Sequence, residues 1–359
     1  MRAAAIIFVL LYHASFYFDR CNANWFFMCY KYLILDGVSI FFVLSGFLIG
    51  GILIRTINKQ DFKFAYIKEF WLKRWFRTIP SYMLVLLLNF ILYILIFNWP
   101  HSGLHLYPFF LQNFNTTVPV FFAESWSLSI EEWFYLLIPF IMFGLAAITP
   151  KYKKKIMFTA IWTTICVVTV ARLYKISLHP VDIKWYIANI GIVVTMRLDS
   201  LMYGVLAAYL YYYYAEHFYK YKKVLFIVGF ITVYIVAFFH IKIENYTFIY
   251  YWRYTIEPIC FMLLLPLLNS INTGKGWVCK SITFISIISY SLYLIHSGLL
   301  MNGILPYLFK AIHLDYTQGL FYALISWTIA LSVSIMLSYC LYKYYEKPVT
   351  ELRERFVKK

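Results

Sequence analysis

Arg2 and His13 stand eleven residues apart at the start of the chain. At about 100° and 1.5 Å per residue, a helix covers that interval in roughly three turns plus 20° and rises about 16 Å. Both side chains therefore leave the same face, Arg2 at one end and His13 deep along it. A guanidinium binds anions, and an imidazole takes up protons near neutrality. The pair suits a substrate that enters past Arg2 and reacts close to His13.

The elements carrying these groups are expected to be membrane helices. Of 359 residues, 63% are apolar and 13% charged, with a mean hydropathy of +0.71. That balance excludes an ordinary soluble domain and a disordered chain alike. Ten stretches are long and apolar enough to cross a bilayer: 2–18, 33–55, 79–98, 127–148, 156–172, 195–214, 223–241, 251–270, 283–305 and 318–342. The reading is an all-α bundle of about ten spans, one membrane-embedded domain over 1–359, surrounded by membrane lipids.

The net charge of +16 would point to nucleic acid in a soluble protein. Here 23 of the 32 Lys and Arg residues fall in one alternate set of loops and 9 in the other. The positive-inside rule then puts both termini in the cytoplasm and leaves no role for nucleic acid. Six scattered cysteines form no CxxC pair and predict no metal site, although Cys21 and Cys29 share one short loop where a disulfide is possible.

An ionisable side chain inside hydrocarbon costs at least about 2.5 kcal/mol and normally faces a partner or a cavity. The candidates are His13, Asp36, Glu131, Glu132, Arg197, Asp199, Arg253, Glu257 and His296. Given the topology, all lie in the outer half or near midplane, which predicts one polar chamber there. Arg253 and Glu257, at i and i+4, can simply neutralise each other. Asp36, Glu132 and Asp199 are near enough to the interface to be solvated. Ser289, Tyr293 and His296 recur at helical spacing as one polar stripe. Gly46 and Gly50 form a small-xxx-small contact, expected to pack helices closely. Trp99, His101, His105 and Tyr107 lie in an outer segment that reads as a sugar platform or as a re-entrant piece.

The stretch RAAAIIFVLLYH (2–13) resembles the Arg-x10-His signature of the acyltransferase family 3 membrane proteins. GVSIFFVLSGFLIG (37–50), KRWFRTIP (73–80), SWSLSIEEWFYLLIP (125–139), RLDSLMYG (197–204), SYSLYLIH (289–296) and YYEKP (344–348) are similar to its later signatures, in order along the chain. Relatives usually carry several residues before that first Arg, which here follows Met1, so the native start is expected upstream. Many also append an esterase-like domain, absent here after Lys359, so a second transfer step would need another protein. The resemblance implies an O-acyltransferase, most often of acetyl groups, in a bacterial cytoplasmic membrane. The implied co-substrate is acetyl-CoA or another acyl-CoA, with no bound cofactor, and the acceptor is a carbohydrate or glycoconjugate.

Acyl transfer to a hydroxyl needs a base and a group that stabilises the oxyanion. His13 is expected as the base, Glu131 as the carboxylate orienting it, and Arg197 and His296 as further catalytic groups. Arg74 and Arg77 suit donor phosphates, and Arg2 would steer the pantetheine arm upward. Substrate contacts are expected at Trp126, Ser127, Asp199, Ser289 and Tyr293. The rival from another class is a transporter or flippase of polysaccharide or lipid-linked glycan, which also needs midplane charges.

Overall fold

The computed structural model describes residues 1–21, 24–59, 65–97, 103–115, 121–148, 150–179, 182–240, 247–271 and 274–357. Among them the chain is helical, with no strand. Helices occur at each of the ten expected stretches: α1 (Arg2–Ala14), α2 (Gly37–Ile57), α3 (Ala65–Phe97), α4 (Ser125–Ile148), α5 (Lys153–Ser177), α6 (Leu198–Tyr213), α7 (Lys222–His240), α8 (Thr247–Asn269), α9 (Trp277–Ile295) and α10 (Leu320–Leu341). Eight described helices are long and apolar enough to span a membrane, two fewer than expected. α6 has only 16 residues, and α8 is diluted by Tyr250, Tyr251, Arg253, Tyr254 and Glu257. A multi-pass membrane bundle results.

Between helices in lipid there is little hydrophobic driving force, so association rests on close packing and polar links. The tightest pair is α2 against α6. A Cβ on Gly46 would overlap the Leu201 carbonyl, one on Gly204 would overlap that of Val43, and Gly50 lies against Val205 and Ala208. The expected glycine contact is thus a helix crossing. Gly46→Val should cost about 1–3 kcal/mol through overpacking, read as a lower melting temperature in detergent. An unchanged melting temperature would mean the crossing tolerates separation.

α2 begins at Asp36, whose carboxylate accepts from the backbone N–H groups of Val38 and Ser39 at 3.0 and 3.2 Å. That cap satisfies two of the amides a helix start leaves unpaired. α1 packs against α2 and α9, which places its Arg2–His13 face inside the bundle. α9 runs on into a π-helical turn, His296–Ile304. Such widened turns occur where a side chain must be re-aimed. Cys21 is buried and Cys29 exposed, and they are not joined.

Candidate active site

At the Arg2 end of the bundle, α1, α2, α3, α4 and α9 enclose a cavity of about 730 Å³, its open mouth included. Its walls carry Arg2, Arg74, Arg77, Glu131, Ser45, Thr78, Ser127, Ser289, Tyr290 and Tyr293, with Val38, Phe41, Phe42, Leu44, Leu48 and Leu128 as the apolar side. Three guanidiniums against one carboxylate leave the cavity strongly cationic and suited to an anion. The Arg74 guanidinium donates to the Tyr135 hydroxyl at 2.5 Å and lies 4.3 Å from the centre of its ring. Its Nε is buried with no partner, which leaves one donor pointing at nothing in the protein. Tyr135 in turn donates to Glu131 at 2.6 Å and bonds Ser45.

The expected stripe on α9 is present. Ser289 and Tyr293 line the cavity, and His296 lies one turn further along. The Tyr293 hydroxyl meets Ser127 Oγ at 2.5 Å and the Glu124 carbonyl at 3.0 Å, at the cavity's inner end. Beyond it, His296 Nε2 stands 3.0 Å from His13 Nδ1. The hydrogen-bond partners assign both tautomers. His296 Nδ1 faces the carbonyls of Leu292 and Tyr293 at 3.0 and 2.9 Å, so that nitrogen carries a proton. Its Nε2 is then bare and accepts from His13 Nδ1, which also faces the Val9 carbonyl at 3.0 Å. With its proton on Nδ1, His13 presents a bare Nε2, the atom a general base needs.

Several expected placements are corrected. Glu131 does not orient His13: its carboxylate is engaged by Tyr135 beside Arg2 and Arg74, and His296 holds His13 instead. The cause is depth. The Glu124 carbonyl already lies level with Tyr293, so Glu131 sits about 10 Å further toward the Arg2 end of α4. His296, expected as a catalytic group in its own right, has its free nitrogen occupied by His13. Trp126 packs edge-on to Phe42 with its carbonyl held by Asn113, and does not line the cavity.

Arg197 and Asp199 also lie elsewhere. Arg197 is buried against the Tyr254 ring, 3.8 Å from its centre, and donates to Ser39 Oγ at 3.0 Å and to the Gly191 carbonyl at 3.1 Å. It pairs with neither Asp199 nor Glu131. Asp199 is fully buried in a two-pronged ion pair with Arg172, at 2.7 and 3.0 Å, so it is not solvated. Glu132 is buried as well. Arg253 bonds Glu257 at 2.9 Å, as the i,i+4 spacing implied, and approaches Asp36 at 3.8 Å. The polar groups thus divide into a cationic cavity, a histidine pair and an ion-pair network, not one outer chamber.

Trp99 and His101 fall outside the described residues. Tyr107 is buried, its carbonyl accepting from Tyr82 at 2.9 Å, so the 103–115 segment folds back between helices. Sequence reasoning missed Glu124, Ser45, Tyr135 and Arg172. Tyr135 had a signal, since it sits four residues after Glu131 on one helix face. Arg172 ends the expected 156–172 span, whereas α5 extends past it to Ser177.

The comparisons with known proteins fit this geometry. A family profile described as an acyltransferase domain matches residues 1–343. A peptidoglycan O-acetyltransferase of Listeria monocytogenes is 30% identical over 192 residues, covering 46% of this chain and 28% of that protein. A provisionally named O-acetyltransferase of Staphylococcus aureus is 26% identical over 377 aligned positions, covering 97% of this chain and 56% of its own length. The chain therefore spans about a quarter to a half of these two relatives. A Haemophilus influenzae protein of no assigned function is 31% identical over 189 residues, 48% of this chain and 73% of that protein. No solved structure matches the chain. A profile that runs through nearly every described helix, from Arg2 past the histidine pair, places this chain in the acyltransferase-domain family.

Proposed function

We propose that the protein is an integral-membrane O-acetyltransferase that moves an acetyl group from acetyl-CoA to a hydroxyl of a glycan. One observation carries the reading: a bare imidazole nitrogen on His13, held by His296, just beyond the inner end of a cavity lined by three arginines. Two relatives named for O-acetyl transfer, one of them on peptidoglycan, support the acceptor class. The charge bias of the loops puts the Arg2 end toward the cytoplasm, where acyl-CoA is made available.

The donor's phosphates meet Arg74 and Arg77, and its thioester arm follows Arg2 inward toward Tyr293. The acceptor hydroxyl approaches from the His13 end. His13 Nε2 takes the hydroxyl proton as the oxygen attacks the thioester carbon. A C–O bond forms, the C–S bond breaks, and the imidazolium returns the proton to the departing thiolate. His296 holds the ring and accepts from its Nδ1–H throughout, the orienting role a triad's third member plays. A carrier does not require this combination of an arginine-lined cavity with a held imidazole beyond it.

The direct test is thiol release. Purified protein with acetyl-CoA should liberate free CoA only when a glycan acceptor is present, and the ester should appear on the glycan. Thiol release that ignores the acceptor, or none with any glycan, would overturn the reading. The phosphate clamp has its own measurement. Arg77→Gln removes a charge-assisted bond of about 1.5 kcal/mol, so the KM for acetyl-CoA should rise about tenfold with kcat little changed. An unchanged donor KM would remove Arg77 from the clamp.

A further inference from the structure

Glu124 lies just before α4, is 2% exposed, and takes part in no step described so far. Its contacts converge on one short piece of chain. Glu124 Oε1 accepts from the backbone N–H of Gly298 at 2.9 Å, while its own carbonyl accepts from the Tyr293 hydroxyl at 3.0 Å. Those partners bracket His296, three residues before it and two after. Gly298 leaves no slack: a Cβ there would sit 3.1 Å from both Asn89 Oδ1 and Glu124 Oε2. The clamped residues straddle the start of the π turn, His296–Ile304, a rare backbone form found mostly as single turns at functional sites.

We infer that Glu124 is a positioning residue for the transfer reaction: it pins the widened turn at Gly298 and Tyr293 so that His296 Nε2 stays on His13 Nδ1. Glu124 Oε2 is buried without a hydrogen-bond partner. Leaving such an oxygen unpaired costs about 1–3 kcal/mol. A local stability optimum would not retain it, whereas a clamp that needs the reach of a glutamate does. Loss of the clamp lets the turn rewind and rotates His296 away, and His13 then loses the acceptor that fixes its tautomer. The inference rests on the reading of His13 as the base.

The test compares Glu124→Ala, Glu124→Gln, His296→Ala and the double variant Glu124→Ala/His296→Ala, with His13→Ala alongside. Acetyl transfer to a glycan is followed at saturating acetyl-CoA. Glu124→Ala should lower kcat about 10- to 100-fold, the usual loss for an outer-shell orienting group, with donor KM unchanged. Glu124→Gln keeps the acceptor oxygen for Gly298 and should return kcat to within about fivefold of the parent, since a neutral bond is roughly half as strong. The double variant should be no slower than His296→Ala alone, because both changes act through the same ring. Should Glu124→Ala fail to insert, Glu124→Asp, one methylene too short to reach Gly298, should show the same loss. Parental kcat in Glu124→Ala, a glutamine variant as slow as alanine, or losses that multiply in the double variant would each overturn the clamp. If His13→Ala is inactive while Glu124→Ala is fully active, the clamp alone fails. If His13→Ala works at the parental rate, the base assignment itself has failed.

Discussion

The His13→Ala protein should insert and bind donor normally yet transfer acetyl groups about 10²- to 10⁴-fold more slowly, the span that general base catalysis contributes. The loss belongs in kcat. His13 is not among the residues lining the cationic cavity, so the donor KM should stay within about twofold, too small a change to signal a lost hydrogen bond. His296→Ala should fall between parent and His13→Ala, because the base remains but nothing fixes its proton on Nδ1. Steady-state rates against acetyl-CoA, with insertion checked by size-exclusion profile, decide it. A loss expressed in donor KM would make His13 a donor contact.

Asp199→Leu should lose about 3–5 kcal/mol of stability, because it strands Arg172 as an uncompensated charge with no exposed surface. Arg172 reaches Thr255 at 2.6 Å and the Met196 carbonyl at 2.8 Å as well, so one guanidinium ties α5, α6, α8 and the turn before α6. The paired change Arg172→Met with Asp199→Leu removes both charges together and should recover most of the loss. Thermal unfolding of purified protein in detergent separates these results. A single variant as stable as the parent would show that water reaches the guanidinium.

Much of this was readable in the sequence because the relevant signals are local. Helical repeat alone relates Arg2 to His13 and Ser289 to Tyr293 to His296, and apolar run length located all ten helices. The i,i+4 pairing of Arg253 with Glu257 and the close contact at Gly46 are likewise properties of one helix face. Depth across helices was not legible. Glu131 was assigned to the level of His13 because the 127–148 span was taken to begin at the outer face of the membrane. In the structure the described part of the preceding segment folds inward, α4 starts deep, and Glu131 drops to the level of Arg2. Asp199 was expected as a substrate contact or as a solvated interfacial group, and nothing local pairs it with Arg172, 27 residues earlier, which closes the ion pair from inside α5. Glu124 stood in the outer 99–126 segment, read as a sugar platform or a re-entrant piece, and no spacing rule relates it to Gly298, 174 residues away.

Replacing the imidazole with a thiol probes the geometry itself. In purified His13→Cys protein, bromoacetyl-CoA supplied from the Arg2 side should alkylate the introduced thiol, and excess acetyl-CoA should protect it. Cys29 and Cys340, which are exposed near helix ends, report reagent that reacts without passing through the cavity. Peptide mass spectrometry reads each site. Acetyl-CoA-sensitive labelling at position 13 is the expected result. An unmodified thiol there, beside labelled surface cysteines, would contradict delivery of the thioester to His13.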